Sequence, residues 1–228
     1  MEMDSACSLK MPPPKKQLVH DYIARQFAMP VGKGGIAVAA AMRVINWLPY
    51  KGAIDLLDPR PASDLLEVGH GPGVGLRQLA KMATLGSVTG IDPSSTMRRL
   101  ARANNASAIT EGRMSLKQGT FEHLPLPDMS VDGILAVNVF YFVDPLSFAL
   151  TEARRVLRPG GSLAVYATDK SHMSWLQFEG RETKHTFDKR SLYRILQASD
   201  FGEDKIDIRS VWLPFRFRGI LAKITKSV

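Results

Sequence analysis

Short apolar stretches alternate with amphipathic helical patterns from residue 64 onward. Between these stretches, apolar residues recur three and four positions apart, which is the spacing of one helix face. This alternation predicts a parallel sheet covered by helices. The stretches expected to form its strands are 64–69, 87–91, 114–119, 131–138 and 161–168.

Four amphipathic helices are predicted around this sheet. One helix should begin at Pro145, which suits a first helical turn, and end at the sequence RPGG. Asp188 is a candidate cap for the last helix. The apolar faces of the four helices are predicted to contain Leu76, Leu79, Ala80 and Ala83; Met97, Leu100, Ala101 and Asn104; Leu146, Ala149, Leu150, Ala153, Val156 and Leu157; and Leu192, Ile195 and Leu196.

The carboxyl-terminal segment predicts two further strands, near 204–212 and 215–225, joined by a tight turn at Pro214. These two strands should be antiparallel. The period of two in FRFR places Phe215 and Phe217 inward, with the two arginines facing solvent.

Residues 1–50 lie outside the alternation. Helices around 17–27 and over 36–48 are expected to form a cap near the carboxyl ends of the strands, where open α/β sheets bind ligands. We therefore divide the chain into a dependent arm and cap, 1–50, and a ligand-binding domain, 51–228. No secretory signal or transmembrane stretch is evident, and the single Cys7 excludes an internal disulfide, so a cytoplasmic protein is expected.

The formal net charge of +8 raises the question of an anionic partner. The basic residues are scattered over the sequence and form no dense block, so no DNA partner is expected. RNA, protein or a lipid headgroup remain alternative partners.

The sequence DLLEVGHGPGVG, residues 64–75, holds the most informative turn. Neither the G-x-G-x-x-G dinucleotide spacing nor a P-loop occurs here, since Val74 and Leu76 occupy the positions where a third glycine would be required. Closely spaced glycines allow the backbone to approach a ligand. The carboxylate of Glu67 at the strand end would repel pyrophosphate and attract a cation. S-adenosylmethionine, which carries an ammonium group and a sulfonium but no phosphate, fits both features.

With LLEVGHGPGVG, VTGIDPSSTM, the Leu124-Pro125 pair and LRPGGSLAVY in this order, the chain resembles the class I S-adenosylmethionine-dependent methyltransferases, in particular their bacterial small-molecule branch. The resemblance covers roughly residues 50–225. It implies a Rossmann-like, doubly wound α/β sheet of seven strands with the last strand antiparallel. It also implies a cofactor site at Glu67, Gly69, His70, Gly71, Gly73, Asp92 and Pro93, with Glu67 near the methionine amino group and Asp92 on the ribose hydroxyls.

The segment GTFEHLPLP departs from the family pattern at two positions. Thr120 stands where an aspartate commonly accepts from the adenine amino group, and Phe121 stands where alanine is common. The Phe121 backbone N–H still suits an adenine ring nitrogen, whereas Thr120 would make a weaker contact.

Methyl transfer needs little acid or base catalysis, because the cofactor supplies the activated electrophile and the protein aligns the nucleophile. Asn138 ends the fourth predicted strand and is expected at both the cofactor and the reaction centre, with Tyr141 close by. His172 is the candidate general base. No metal is predicted, since beyond Asp144 and Asp169 no acidic pair is evident.

The acceptor is expected to be a small molecule methylated on oxygen or nitrogen, with S-adenosylhomocysteine as the second product. The aromatic residues predicted to line its pocket are Tyr22, Phe27, Phe140, Tyr141, Trp175, Phe178 and Phe187. Methylation of RNA, protein or a lipid headgroup, and a non-catalytic cofactor-binding module, are the alternatives. The protein is expected to be a monomer or a homodimer.

Overall fold

The computed structural model describes residues 46–176, 183–201 and 205–227. The helices of this part are α1 (Trp47–Leu57), α2 (Val74–Met82), α3 (Ser95–Asn104), α4 (Ala106–Thr110), α5 (Leu146–Val156), α6 (Lys170–Leu176) and α7 (Lys189–Gln197). The strands are β1 (Leu65–Val68), β2 (Val88–Ile91), β3 (Met114–Lys117), β4 (Val131–Val137), β5 (Leu157–Thr168), β6 (Lys205–Trp212) and β7 (Arg218–Thr225).

The strands of the described residues form one seven-stranded sheet in the order β3-β2-β1-β4-β5-β7-β6. Strands β1 to β5 are parallel, and β7 runs antiparallel to both of its neighbours. The strand order reverses at β1, which pairs with β2 on one side and β4 on the other. The predicted strands and the antiparallel last strand are therefore confirmed. Ligand sites of open α/β sheets lie at such a reversal, outside the carboxyl ends of the strands.

Two apolar clusters cover the two faces of the sheet. In β1, Leu65 packs in the cluster with α1 and α2, while Leu66 packs in the cluster with α5 and α7. All four residues are buried in β1, as expected for a central parallel strand covered on both faces. The predicted helix faces are buried as expected, except that Leu100, Asn104 and Ile195 are half-buried.

Helix α5 ends one residue earlier than predicted. Leu157 already pairs with Val131 as the first residue of β5, and β5 continues through the RPGG sequence with a shift in register. The two glycines of RPGG therefore lie within β5 and not in a loop between α5 and β5.

The prediction that the last strand begins at residue 215 is wrong. Pro214–Arg216 form a turn of 3-10 helix, and β7 begins at Arg218. Proline cannot donate to a sheet ladder, and Arg216 has a left-handed backbone with φ of 62°, so this segment cannot pair as a strand. Phe217 is half-buried and packs against the ring of His172 at 5.5 Å between centroids.

Helix α1 runs without a break through residue 50, where the predicted cap would end. Its buried side, which includes Ala53, Ile54 and Leu57, packs in the same cluster as Leu65 of β1. Residues 1–45, which contain most of the predicted cap, lie outside the described residues.

Asp188 caps α7 as predicted. Its side chain accepts a hydrogen bond of 2.7 Å from the Ser191 backbone N–H, and the Ser191 hydroxyl accepts from the Asp188 N–H at 2.9 Å, which completes a capping box. Lys170 lies 2.6 Å from the same carboxylate. The Lys170 side chain is the largest influence that lowers the pKa of Asp188, followed by the Ser191 N–H.

We expect Asp188→Ala to destabilise the protein by about 1 kcal/mol, since α7 loses its N-cap. Because the folded-state pKa of Asp188 is lowered, this stabilisation is present at neutral pH and is lost as the pH falls below about 4. Urea unfolding at pH 7 measures the change. Asp188→Ser is the matched control because serine also caps helices. Equal destabilisation by both substitutions would contradict the assigned role of the cap.

Candidate functional site

The glycine-rich turn connects the end of β1 to the start of α2. Gly69, Gly71 and Gly73 all have positive φ, at 65°, 51° and 83°. A Cβ atom on Gly69 would lie 2.6 Å from a methyl group of Val139, and one on Gly73 would lie 2.5 Å from the Asn105 side chain. Other residues would strain the backbone and collide with these neighbours, so the sequence needs glycine here.

Asp92 follows β2 and binds this turn directly. One carboxylate oxygen accepts a hydrogen bond from the Gly71 N–H at 2.9 Å, and the other accepts from the Ser94 N–H at 2.8 Å. The N-cap of α3 is Ser94, whose hydroxyl accepts from the Met97 N–H at 3.3 Å. Asp92 is therefore not the helix cap. It links the ends of two neighbouring strands.

The carboxylate of Asp92 is 5% exposed. Burial is the main cause that raises its pKa, while His70 and the two backbone amides act in the opposite direction. Each carboxylate oxygen has a second lone pair beyond its backbone hydrogen bond. The group can therefore accept two more hydrogen bonds side by side, as vicinal hydroxyls would donate.

His70 is fully buried beside this carboxylate. Its Nδ1 lies 2.8 Å from the Gly71 carbonyl oxygen, and its Nε2 has no hydrogen-bond partner among the described residues. Burial is the main cause that lowers its pKa, although the charge of Asp92 acts to raise it. The imidazole packs against Gly90 of β2 and is not part of the lining of the cavity described next.

A cavity of about 160 Å³ opens at the carboxyl edge of the sheet, between the ends of β1, β2 and β4. Seven of the predicted site residues line it: Gly69, Gly71, Asp92, Pro93, Thr120, Phe121 and Asn138. The other lining residues are Val68, Met97, Gly119, Glu122, Val137, Val139, Phe142 and Val143. The predicted site residues outside this lining are Glu67, His70, Gly73, Tyr141 and His172.

The side chain of Glu67 is 1% exposed and lies under the first turn of α2. A Cβ atom on Gly75 would be only 2.5 Å from both a carboxylate oxygen of Glu67 and the ring of Tyr50, so these two side chains meet over Gly75. Neither carboxylate oxygen has a hydrogen-bond partner of normal geometry among the described residues. Burial raises the pKa of Glu67 well above its usual value, and the Tyr50 hydroxyl offsets this only partly.

Thr120 and Phe121 form one wall of the cavity. Thr120 is exposed, whereas Phe121 is 2% exposed and packs edge to face against Phe140 at 5.8 Å. Phe121 thus anchors this segment in the core and also lines the cavity. The proposed adenine contacts of these residues remain predictions.

Asn138 adopts a left-handed conformation, with φ of 57°, directly after β4. Its side-chain oxygen accepts from the Tyr141 hydroxyl at 3.0 Å, and its side-chain nitrogen donates to the Asn46 oxygen at 3.0 Å. The backbone N–H of Thr168 donates to the Tyr141 hydroxyl. Burial is the main cause that raises the pKa of Tyr141. The phenol is therefore held between groups of the protein, outside the cavity lining.

Sequence reasoning did not identify Asn46. It lies 92 residues before Asn138, in the region that we assigned to the cap. The sequence analysis placed Asn46 inside the helix expected over 36–48, whereas in the structure it directly precedes α1, a position where asparagine commonly caps the helix. That preference would have predicted a different hydrogen bond from the one observed.

The aromatic pocket predicted from the sequence is not this cavity. Phe140, Tyr141 and Phe187 are at most 3% exposed and pack against one another in the core. They were expected to line a pocket, but they lie instead in the apolar core that covers one face of the sheet. Tyr22, Phe27 and Phe178 lie outside the described residues, as does the side chain of Trp175.

His172 lies in α6 and is half-buried. Its Nδ1 is 3.2 Å from the Ser171 hydroxyl, and its ring packs against Phe217. The role of general base remains a prediction, because this histidine does not line the cavity.

The acidic residues considered for a metal site are used otherwise. Asp169 is buried and forms an ion pair of 2.8 Å with Arg218, while Asp144 is exposed and lies 3.6 Å from His185. In the described ranges, no group of three or more histidine, cysteine or acidic side chains could hold a metal ion. None of the helices in the same ranges combines the length and apolar character required to cross a membrane.

The geometry fits S-adenosylmethionine, for which no contact is visible in the structure itself. Gly69 and Gly71 of the turn line the cavity without side chains, Asp92 has lone pairs beyond its backbone hydrogen bonds, and the buried Glu67 oxygens have no partner of normal geometry among the described residues. The cavity lining contains no lysine or arginine among the described residues, which suits a cofactor without phosphate.

Comparisons with known proteins agree with this assignment of the fold. A family model described as a methyltransferase domain matches residues 66–165. The Bacillus subtilis protein YdaC, an uncharacterised methyltransferase, is 30% identical over 131 residues, which are 58% of this chain and 68% of that protein. The malonyl-[acyl-carrier protein] O-methyltransferase of Methylococcus capsulatus is 32% identical over 190 residues, which are 81% of this chain and 66% of that protein.

Solved structures show the same fold. One chain of the complex between the Haloferax volcanii Trm112 methyltransferase activator and a methyltransferase superposes with a TM-score of 0.75 at 19% identity, covering 84% of this chain and 94% of that chain. The fold and the site define a Rossmann-like methyltransferase domain. The chain belongs to the class I S-adenosylmethionine-dependent methyltransferases. It spans 41 to 48% of the length of several other curated relatives.

We expect Glu67→Gln to stabilise the unliganded protein increasingly as the pH rises. The pKa of Glu67 is raised in the folded state, so the folded protein loses stability as the pH rises from about 4.3, the unfolded value, towards the folded pKa. Because glutamine does not titrate, the variant becomes more stable relative to the wild type by up to about 1.4 kcal/mol per pH unit within that window.

Urea unfolding of the wild type and Glu67→Gln at pH 5 and pH 8 measures the effect. Glu111→Gln is the control, since this exposed residue pairs with Arg113 and its pKa is lowered by the Ser107 hydroxyl and by that arginine. A stability difference between wild type and Glu67→Gln that is the same at both pH values would argue against a strained carboxylate.

Proposed function

We propose that this protein transfers the methyl group of S-adenosylmethionine to an oxygen or nitrogen of a small-molecule acceptor. The observation that carries the proposal is Asp92, which binds the glycine turn and presents its remaining lone pairs at a cavity at the reversal of strand order. If Asp92 served only to hold the turn in place, no second buried carboxylate such as that of Glu67 would be needed nearby. Together these groups suit a ligand with vicinal hydroxyls and a positive charge.

The residues have distinct proposed roles in binding. Asp92 accepts from the two ribose hydroxyls, and the glycine turn allows the ligand to approach the backbone. Phe121 offers its backbone N–H to the adenine ring, beside the hydroxyl of Thr120. Glu67 attracts the ammonium group, and its charge becomes less unfavourable when that cation is bound.

Catalysis is proposed to rest mainly on proximity and orientation. S-adenosylmethionine supplies an electrophilic methyl group when bound. Asn138 holds a side-chain amide at the end of β4, where it lines the cavity; its proposed role is to contact the bound cofactor and to orient the nucleophile beside it. Apolar side chains, including Val139, Phe142 and Val143, exclude water from the same cavity. Tyr141 supports Asn138 through its hydroxyl.

The acceptor is proposed from the family and from one relative. The Methylococcus capsulatus protein, which aligns with 81% of this chain, is named as an O-methyltransferase of malonyl-[acyl-carrier protein]. Oxygen is thus the first atom to examine, and carboxylates in free and carrier-bound form belong in an acceptor panel. Cofactor binding without turnover of any panel member would favour a non-catalytic binding module.

We expect Asp92→Ala to weaken binding of S-adenosylmethionine and S-adenosylhomocysteine at least tenfold, a loss of about 1.4 kcal/mol, because the ribose acceptor and the anchor of the glycine turn are both removed. Calorimetric titration of both ligands measures the change. Asp207→Ala, an exposed position on β6, is the control and should bind like the wild type. Unchanged affinity in Asp92→Ala, with the fold retained by circular dichroism, would contradict the assigned site.

A further inference from the structure

We propose that Asn46, directly before α1, is a positioning residue that fixes the orientation of the Asn138 amide in the cofactor cavity. The inference rests on the proposed function, since Asn138 is assigned there to the ligand. It adds the first turn of α1 to a site otherwise built from the ends of β1, β2 and β4.

The side chain of Asn46 does not make the capping hydrogen bond that is usual at its position. Asn46 occupies the N-cap position of α1, and asparagine at this position commonly caps the helix with its side chain. Here the side chain makes no capping hydrogen bond. It accepts from the side-chain nitrogen of Asn138 at 3.0 Å, and the residue is only 5% exposed. The side chain of Asn46 thus makes a contact across the fold in place of the hydrogen bond that would stabilise its own helix.

The backbone conformation of Asn138, the residue that Asn46 contacts, also supports the proposal. Asn138 has φ of 57°, a left-handed conformation that few residues other than glycine and asparagine adopt readily. Its backbone N–H donates to the Tyr166 carbonyl at 2.9 Å, which holds it at the end of β4. Asparagine therefore suits this turn, and its amide lies within hydrogen-bond distance of Asn46.

The hydrogen-bonding groups of the Asn138 side chain are only partly used within the protein. An asparagine side chain has two N–H donors and one carbonyl oxygen. In Asn138 the oxygen accepts from Tyr141, and one N–H donates to Asn46. Both contacts fix which end of the amide is which, and they leave one N–H for an oxygen of a ligand in the cavity. Without Asn46, the oxygen of the amide is still held by Tyr141 and by the Thr168 hydroxyl at 3.4 Å, but the N–H end loses its acceptor and is no longer fixed towards the ligand.

The same turn of α1 also contacts the other buried acidic group of the site. The Tyr50 N–H donates to the Asn46 carbonyl at 2.9 Å, so the two side chains lie on one helix face. The Tyr50 ring meets Glu67 over Gly75. A single helical turn thus supports side chains at the ends of β1 and β4, the two strands beside the reversal of strand order.

A double-mutant cycle tests the proposal. The variants are Asn46→Ala, Asn138→Ala and the double variant, with S-adenosylhomocysteine titrated into each by calorimetry. We expect Asn138→Ala to lose about tenfold in affinity and Asn46→Ala about threefold or more, with the double variant no weaker than Asn138→Ala within about twofold. Such non-additivity indicates that Asn46 acts through Asn138.

Two further variants separate orientation from general damage. Asn46→Asp keeps the acceptor oxygen and should bind within about threefold of the wild type. Lys51→Ala changes an exposed position of the same helix and should bind like the wild type. Thermal unfolding without ligand should show one cooperative transition for Asn46→Ala, at most about a few degrees below the wild type, because the hydrogen bond to Asn138 is lost but no capping hydrogen bond is.

The outcomes are distinguishable from failure of the proposed function. No binding to the wild type would contradict the proposed function itself. Binding by the wild type together with unchanged affinity in Asn46→Ala, or with additive losses in the double variant, would overturn the role of Asn46 alone. Equal losses in Asn46→Asp and Asn46→Ala would overturn the assigned orientation of the amide.

Discussion

The site depends on one carboxylate that accepts hydrogen bonds from two different chain segments. Asp92 receives the Gly71 N–H from the turn after β1 and the Ser94 N–H from the start of α3. The glycine turn has little conformational preference of its own, because all three glycines adopt positive φ and carry no side chains. Backbone N–H groups at helix starts also need partners. Asp92 meets both needs, so the shape of the cavity follows from the position of β2 relative to β1.

This arrangement places ionisable groups where a purely structural protein would place apolar ones. Glu67, His70 and Asp92 are all buried, and oxygens or nitrogens of the first two lack partners among the described residues. Isolated buried polar groups destabilise a fold unless something pairs with them. A bound cation near Glu67 would supply that pairing. The instability of the unliganded site is therefore a reason to infer a ligand and agrees with the family to which the chain belongs.

Local patterns in the sequence predicted the parts of the fold that depend on local chemistry. The five parallel strands, the glycine turn after β1 and the Asp188 cap follow from hydrophobic period, turn chemistry and capping preference, and the structure confirms them. The strand expected at Phe215 was wrong because alternation outweighed Pro214, which cannot pair in a ladder. Asn46 was missed because its partner lies 92 residues away, a distance at which no periodic pattern carries information.

The two halves of the site differ in how strongly they depend on side-chain identity. Asp92 binds backbone N–H groups, so its contacts persist whatever side chains follow, provided that the glycines allow the turn. Asn138 is held by the side chains of Asn46 and Tyr141, so its orientation changes with substitutions in α1 or after β4. A sequence motif can therefore identify the cofactor half of such a site. The half around Asn138 depends on contacts between distant side chains, and substitutions can alter these without disturbing the joint at Asp92.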